Sequence, residues 1–71
     1  MEEKVIEILK EVLEDNNVNA ETSQQNNANW DSMRHLNLVV ELEMEFDVTL
    51  EPDEIAEMTS VEKVVETLKK K

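Results

Sequence analysis

Trp30-Asp31-Ser32-Met33-Arg34-His35-Leu36-Asn37-Leu38-Val39-Val40-Glu41-Leu42-Glu43-Met44-Glu45-Phe46 is the stretch on which the fold turns. Placed on a helix at about 100° per residue, it carries two apolar stripes. Leu38, Val39, Leu42 and Phe46 form one, and Met33, Leu36, Val40 and Met44 form the other. Arg34, Asn37, Glu41 and Glu45 make only a narrow polar ridge between them. The spacing predicts a helix over about residues 31–47, with Asp31 as a good N-cap because its carboxylate can accept a free N–H of the first turn. A helix so apolar either lies at the centre of a bundle or offers its second stripe to a partner. Core is the commoner fate of such a stripe. In a bundle this small, however, one helix cannot bury its whole circumference, so Met33 and part of Val40 are expected to be exposed.

Outward toward the N-terminus, Asn16 to Asp31 has no helical period and is rich in Asn, Gln, Ser and Thr. A connection of that length is either functional or disordered. Val18 and Trp30 are its sizeable apolar residues and should pin its ends to the body. Before it, Val5, Ile8, Leu9, Val12 and Leu13 fall on one helical face, with Glu2 and Glu3 at the positive helix end. This predicts a first helix over about residues 2–15, stopped by Asp15-Asn16-Asn17, residues that favour turns.

Toward the C-terminus, Val48-Thr49-Leu50 could pass for a strand but has nothing to pair with. Glu51-Pro52-Asp53-Glu54 reads as the start of a short third helix over about 52–58, with Pro52 in its first turn and Ile55 and Met58 facing inward. Thr59-Ser60-Val61-Glu62 has a capping-box pattern, with Thr59 at the cap and Glu62 at the third position. It opens a last helix over about 60–70, whose inner face is Val61, Val64, Val65 and Leu68. With no Gly and one Pro, tight hairpins are disfavoured. The expectation is all-α: a small four-helix bundle with a long loop between helices one and two, as a single domain over residues 1–71.

Composition narrows what such a bundle can do. There is no Cys, so disulfides and protein thiol chemistry are excluded. The 18 Asp and Glu against 7 Lys and Arg give a net charge of −11, which removes the main electrostatic term for nucleic-acid binding and favours basic partner surfaces. Met1-Glu2-Glu3-Lys4 has no signal-peptide character, and no apolar run approaches membrane-spanning length. A cytoplasmic protein that engages neither nucleic acid nor membrane is the expectation.

Three constellations invite chemistry. Ser32, first after the cap, would sit beside unpaired N–H groups where an anionic phosphate is tolerated, with the Asp31 charge close by and repulsive. The plainer role for Ser32 is help with the cap, and periodicity alone does not identify a modification. Ser32 and His35 lie three apart with Asp31 beside them, but a hydrolase also needs an oriented base, an oxyanion hole and a pocket. His35 points between Leu42 and Phe46 and reads as a core-rim histidine with one satisfied nitrogen. Asp15, Asn17 and Asn19 resemble the start of a calcium loop, yet Ala20 stands where Gly is needed and Asn26 where a bidentate Glu should be.

Trp30-Asp31-Ser32-Met33, His35-Leu36 and Val40-Glu41-Leu42-Glu43-Met44-Glu45-Phe46 resemble the carrier-protein signature around a modified serine, especially that of stand-alone acyl carrier proteins with a W-D-S-L-x-H-L start. Val48-Thr49-Leu50, Pro52-Asp53-Glu54-Ile55 and Thr59-Ser60-Val61 match the third helix of that family and the entry to the fourth, so the resemblance covers about Val18 to Leu68. It implies no enzyme, but a 4'-phosphopantetheine arm attached covalently to Ser32 by a phosphopantetheinyl transferase using coenzyme A. The arm's thiol would hold acyl groups as thioesters, received from adenylating or acyltransferase enzymes and passed to acyl-consuming ones. It also implies docking through Asp31, Met33, Arg34, Leu36, Val40, Glu43 and Met44. A protein handed between enzymes is expected to be a monomer. Sequestering the acyl chain would require a cavity near Leu38, Leu42, Phe46, Val64 and Leu68.

The departures from the family pattern carry information too. Met33 replaces the usual Leu, a volume-conserving change. Trp30 takes the place of a small residue, and the usual Gly before the Asp-Ser pair is missing. Arg34 and Asn37 stand where carriers of fatty-acid biosynthesis have acids, which points toward a dedicated pathway such as secondary metabolite biosynthesis. An aminoacyl or peptidyl carrier, or an unmodified acidic helical interaction module, are the alternatives.

Overall fold

The apolar periodicities become four helices in a computed structural model describing residues 1–71: α1 (Glu2–Leu13), α2 (Ser32–Phe46), α3 (Pro52–Glu57) and α4 (Val61–Lys69). The all-α bundle is as expected, and Val48-Thr49-Leu50 forms no strand. No helix is long and apolar enough to cross a membrane.

The central element is α1. Val5, Leu9 and Leu13 recur every fourth residue, which sets them one above another on a helix, and all three are fully buried. Both α2 and α4 pack on α1. They bring Leu38, Val39 and Leu42 from one side and Val61, Val64, Val65 and Leu68 from the other. Val18, Trp30, Leu50 and Met58 close the core from the connections. Full burial of each such side chain stabilises by roughly 1.5–3 kcal/mol. The six residues of α3 include none that is buried; Ile55 is half-buried, and Met58, at its C-cap, is fully so.

Helix ends shift from the expected positions for identifiable reasons. α1 stops at Leu13 rather than near residue 15, because Glu14 turns left-handed (φ 54°, ψ 45°). Asp47 does the same after α2 (φ 53°, ψ 52°). In each case the following N–H reaches back into the helix, Asp15 to the Lys10 carbonyl at 3.1 Å and Val48 to the Glu43 carbonyl at 3.3 Å. These are Schellman closures, which usually place Gly at the left-handed position; this chain has none. The cap of α4 is Ser60, not Thr59. Ser60 Oγ accepts from Lys63 N at 3.1 Å, so Lys63 and not Glu62 occupies the third helical position. Thr59 is occupied elsewhere, its carbonyl accepting from Gln24 N at 2.9 Å.

That last bond belongs to a tie in the middle of the long loop that its sequence does not announce. Ser23 and Ser60 form an isolated antiparallel bridge, Val61 N donates to the Thr22 carbonyl at 3.0 Å, and Thr22 is buried. The ends are held as expected, with Val18 and Trp30 both buried. Asn29 Nδ2 and Arg34 Nη1 donate to the carbonyls of Leu13 and Val12, satisfying groups that the end of α1 leaves open. No buried side-chain nitrogen or oxygen lacks a partner.

Two outcomes follow. Asp47→Gly removes a left-handed non-glycine residue and should raise stability by about 1 kcal/mol, seen as a higher urea midpoint at unchanged slope. The second concerns Glu54, whose carboxyl is held below its usual 4.5, first by the Glu51 N–H it accepts and then by the hydrogen bond from Lys71. Because the folded value is depressed, the stabilisation is present at neutral pH and is lost as pH falls through the carboxylate range. Glu54→Gln should therefore lower stability at pH 7 and show a smaller further loss on acidification than the parent, in urea titrations at the two pH values.

Candidate functional site

The start of α2 is fixed by Asp31. Its backbone is extended (φ −99°, ψ −176°), and its Oδ1 accepts from Arg34 N at 2.9 Å. Ser32 is the first helical residue and is exposed. Its hydroxyl makes no hydrogen bond and adds nothing to the cap, which Asp31 makes alone. The backbone N–H groups of Ser32 and Met33, at the open end of a 15-residue helix, have no intramolecular acceptor. Their partial positive charge favours an anion on the Ser32 oxygen.

Behind this exposed start lies a buried polar bridge. Trp30 Nε1 donates to His35 Nδ1 at 2.9 Å, and His35 Nε2 lies 2.8 Å from the Ile55 carbonyl. The indole N–H can only donate, so Nδ1 must accept; the ring proton is then on Nε2 and the imidazole is neutral. His35 is thus buried with both nitrogens satisfied, not with one as expected from its position at the core rim. With both nitrogens committed, it has no lone pair for the Ser32 hydroxyl, which removes the hydrolase arrangement.

The calcium-like loop serves its own backbone. Asp15 Oδ1 accepts from Asn17 N and Oδ2 from Asn27 Nδ2. Asn19 Oδ1 accepts from Glu21 N and Asn26 Oδ1 from Ser23 N. These residues line a polar depression, and no cluster of acids and histidines with the arrangement of a metal site forms anywhere in the structure.

The second stripe of α2 is left uncovered. Met33, Leu36, Val40 and Met44 are 77, 61, 53 and 74% exposed, and Asp31 is exposed beside them. Arg34 and Glu43 are placed differently. The Arg34 guanidinium lies on the end of α1, bonded to the Val12 carbonyl at 3.2 Å and 3.8 Å from Glu14. Glu43 accepts from Leu50 N at 2.9 Å and holds the turn into α3. The region around Leu38, Leu42, Phe46, Val64 and Leu68 is packed, and the concavities of the structure are surface grooves lined by other residues.

Residues 3–68 match the sequence family described as the phosphopantetheine attachment site. No curated protein matches the chain.

Asp31→Ala should cost about 1 kcal/mol through loss of the α2 cap. Hydrogen exchange should report it, with faster exchange at Arg34 N, the amide that Asp31 Oδ1 now holds.

Proposed function

The chain belongs to the phosphopantetheine-binding carrier family, and from that membership we propose that Ser32 takes the arm and that the protein is an acyl carrier of a dedicated biosynthetic pathway. Members of the family hold 4'-phosphopantetheine covalently on a serine, and they interact with a phosphopantetheinyl transferase and with biosynthetic enzymes. The group supplies a thiol on which cargo rides as a thioester, a function this Cys-free chain has no other means to perform.

The observation that carries the choice of Ser32 is a comparison of the three serines, Ser23, Ser32 and Ser60. Ser23 and Ser60 are half-buried and paired with each other through their backbones, and the Ser60 hydroxyl caps α4. Ser32 alone is exposed, at the start of a long helix, with an unengaged hydroxyl. Loading forms a bond from Ser32 Oγ to the phosphorus of coenzyme A that bears the pantetheine. The pyrophosphate P–O bond to the adenosine half breaks, adenosine 3',5'-bisphosphate leaves, and the hydroxyl proton passes to solvent through the transferase.

Docking falls to the uncovered stripe Met33, Leu36, Val40 and Met44, with Asp31 at its head. Glu41 and Asp47, both exposed, flank it with negative charge, which suits partners with an apolar patch edged by basic residues. Arg34 and Asn37 leave a gap in that charge, since neither position carries an acid and the Arg34 guanidinium is turned onto the end of α1. This supports a pathway other than housekeeping fatty-acid synthesis. Acyl groups arrive from an adenylating or acyltransferase enzyme, in the cytoplasm, and the chemistry on them is done by the partners.

Incubation with coenzyme A and a broad-specificity transferase, followed by intact mass measurement, should show one phosphopantetheine gained by the parent and none by Ser32→Ala. No gain in the parent would point to an unmodified interaction module. Loading of the holo form by an amino-acid-adenylating enzyme, and not by a fatty-acyl one, would move the assignment to an aminoacyl carrier.

A further inference from the structure

His35 is the only ionisable side chain in the core, and carriage as described gives it no task. We propose that His35 is a positioning residue for the modification of Ser32, and that a second proton on its ring releases the segment leading into that serine. The proposal rests on the Ser32 reading.

The neutral ring joins three pieces of the chain. Nδ1 accepts from Trp30, two residues before Ser32, and Nε2–H donates to Ile55 of α3. A proton on Nδ1 sets two donors, imidazolium and indole, against each other. The bond to Ile55 survives, since Nε2–H still donates, but Trp30 loses its acceptor in a buried place. Trp30 must then move, and with it the segment that aims Asp31 and Ser32. No neighbouring charge replaces the lost bond. On α2, the Asp31 carboxylate is taken by Arg34 N and the Arg34 guanidinium lies on the end of α1, beside Glu14. On α3, Glu54 pairs with Lys71 from beyond α4, and Asp53 and Glu57 are exposed. No carboxylate forms an ion pair with the imidazole. A proton and the Trp30 N–H compete for the one lone pair on Nδ1, so the ring cannot hold both.

The chain has one His, one Trp and no Tyr, so both ends of the bond can be read without interference. The 71-residue apo protein is followed from about pH 8 to about pH 5, the range in which histidine changes charge. The imidazole C–H signals of His35, the indole N–H signal of Trp30 and the Trp30 emission are recorded together. They should move through one midpoint. Over the same range, the kcat/KM for transferase loading of the parent, divided by that of His35→Asn, should fall roughly fivefold, the worth of one neutral hydrogen bond. The Asn side chain keeps an acceptor near the Nδ1 position and cannot titrate, and the ratio cancels the transferase's own pH dependence. Trp30 signals that stay flat while His35 titrates would overturn the proposal, as would a ratio that does not change. Should the variant fail to fold, the titration of the parent decides by itself. No mass gain at any pH sinks the Ser32 reading and this proposal with it, whereas a mass gain with a pH-blind Trp30 sinks the proposal alone.

Discussion

One imidazole holds together parts of this chain that have little else in common. α3 is six residues long and has no buried residue of its own; a helix that short does not persist without tertiary support. The loop before α2 is polar along most of its length. The bridge from Trp30 through His35 to Ile55 fastens both to the base of α2, with Trp30 and Met58 supplying the apolar weight on either side. Buried polar groups are costly when unpaired and specifying when fully paired, and here no buried side-chain nitrogen or oxygen atom is left without a partner. The start of α2, which carries Ser32, is placed by this bridge from behind and by the Asp31 cap from the front.

Small size explains the outer face of the same helix. A chain of 71 residues gathers a core of 14 buried apolar side chains around α1. Once α1 has taken Leu38, Val39 and Leu42, no element remains to cover Met33, Leu36, Val40 and Met44. The bundle thus presents an apolar stripe of flexible side chains next to an exposed serine. A net charge of −11 sets copies of this chain against one another, which opposes self-association through such a surface. Arg34 does not add positive charge at the centre of the stripe, because its guanidinium is drawn to the Val12 carbonyl and to Glu14 at the end of α1.

Where side-chain period decides burial, the sequence was a sufficient guide. The four helices, the inner faces of α1 and α4 and the exposure of Met33 and Val40 all follow from it, because a regular helix turns period into direction. The failures share a different cause, the involvement of backbone atoms that leave no trace in residue type. Thr59 and Ser60 are equally good caps by chemistry, and only the bridge to Ser23 selects Ser60. The second partner of His35 is a carbonyl 20 positions away. Glu43 reads as a surface acid of α2, yet it is bonded to Leu50 N across a turn. The left-handed ends at Glu14 and Asp47 lacked the Gly that usually marks them. Ser32 has a similar limit: in the sequence, an N-terminal helical position only tolerates a phosphodiester and the resemblance around it suggests one, whereas its exposure and unengaged hydroxyl are visible only in the structure.

The central claim is about one oxygen atom, so the decisive measurement is one of location. Protein loaded with phosphopantetheine, cleaved and fragmented in a mass spectrometer, yields fragment ions that separate Ser23, Ser32 and Ser60. The account predicts the full added mass on fragments containing Ser32 and unmodified masses for fragments containing the other two. Added mass on Ser23 or Ser60 would contradict it.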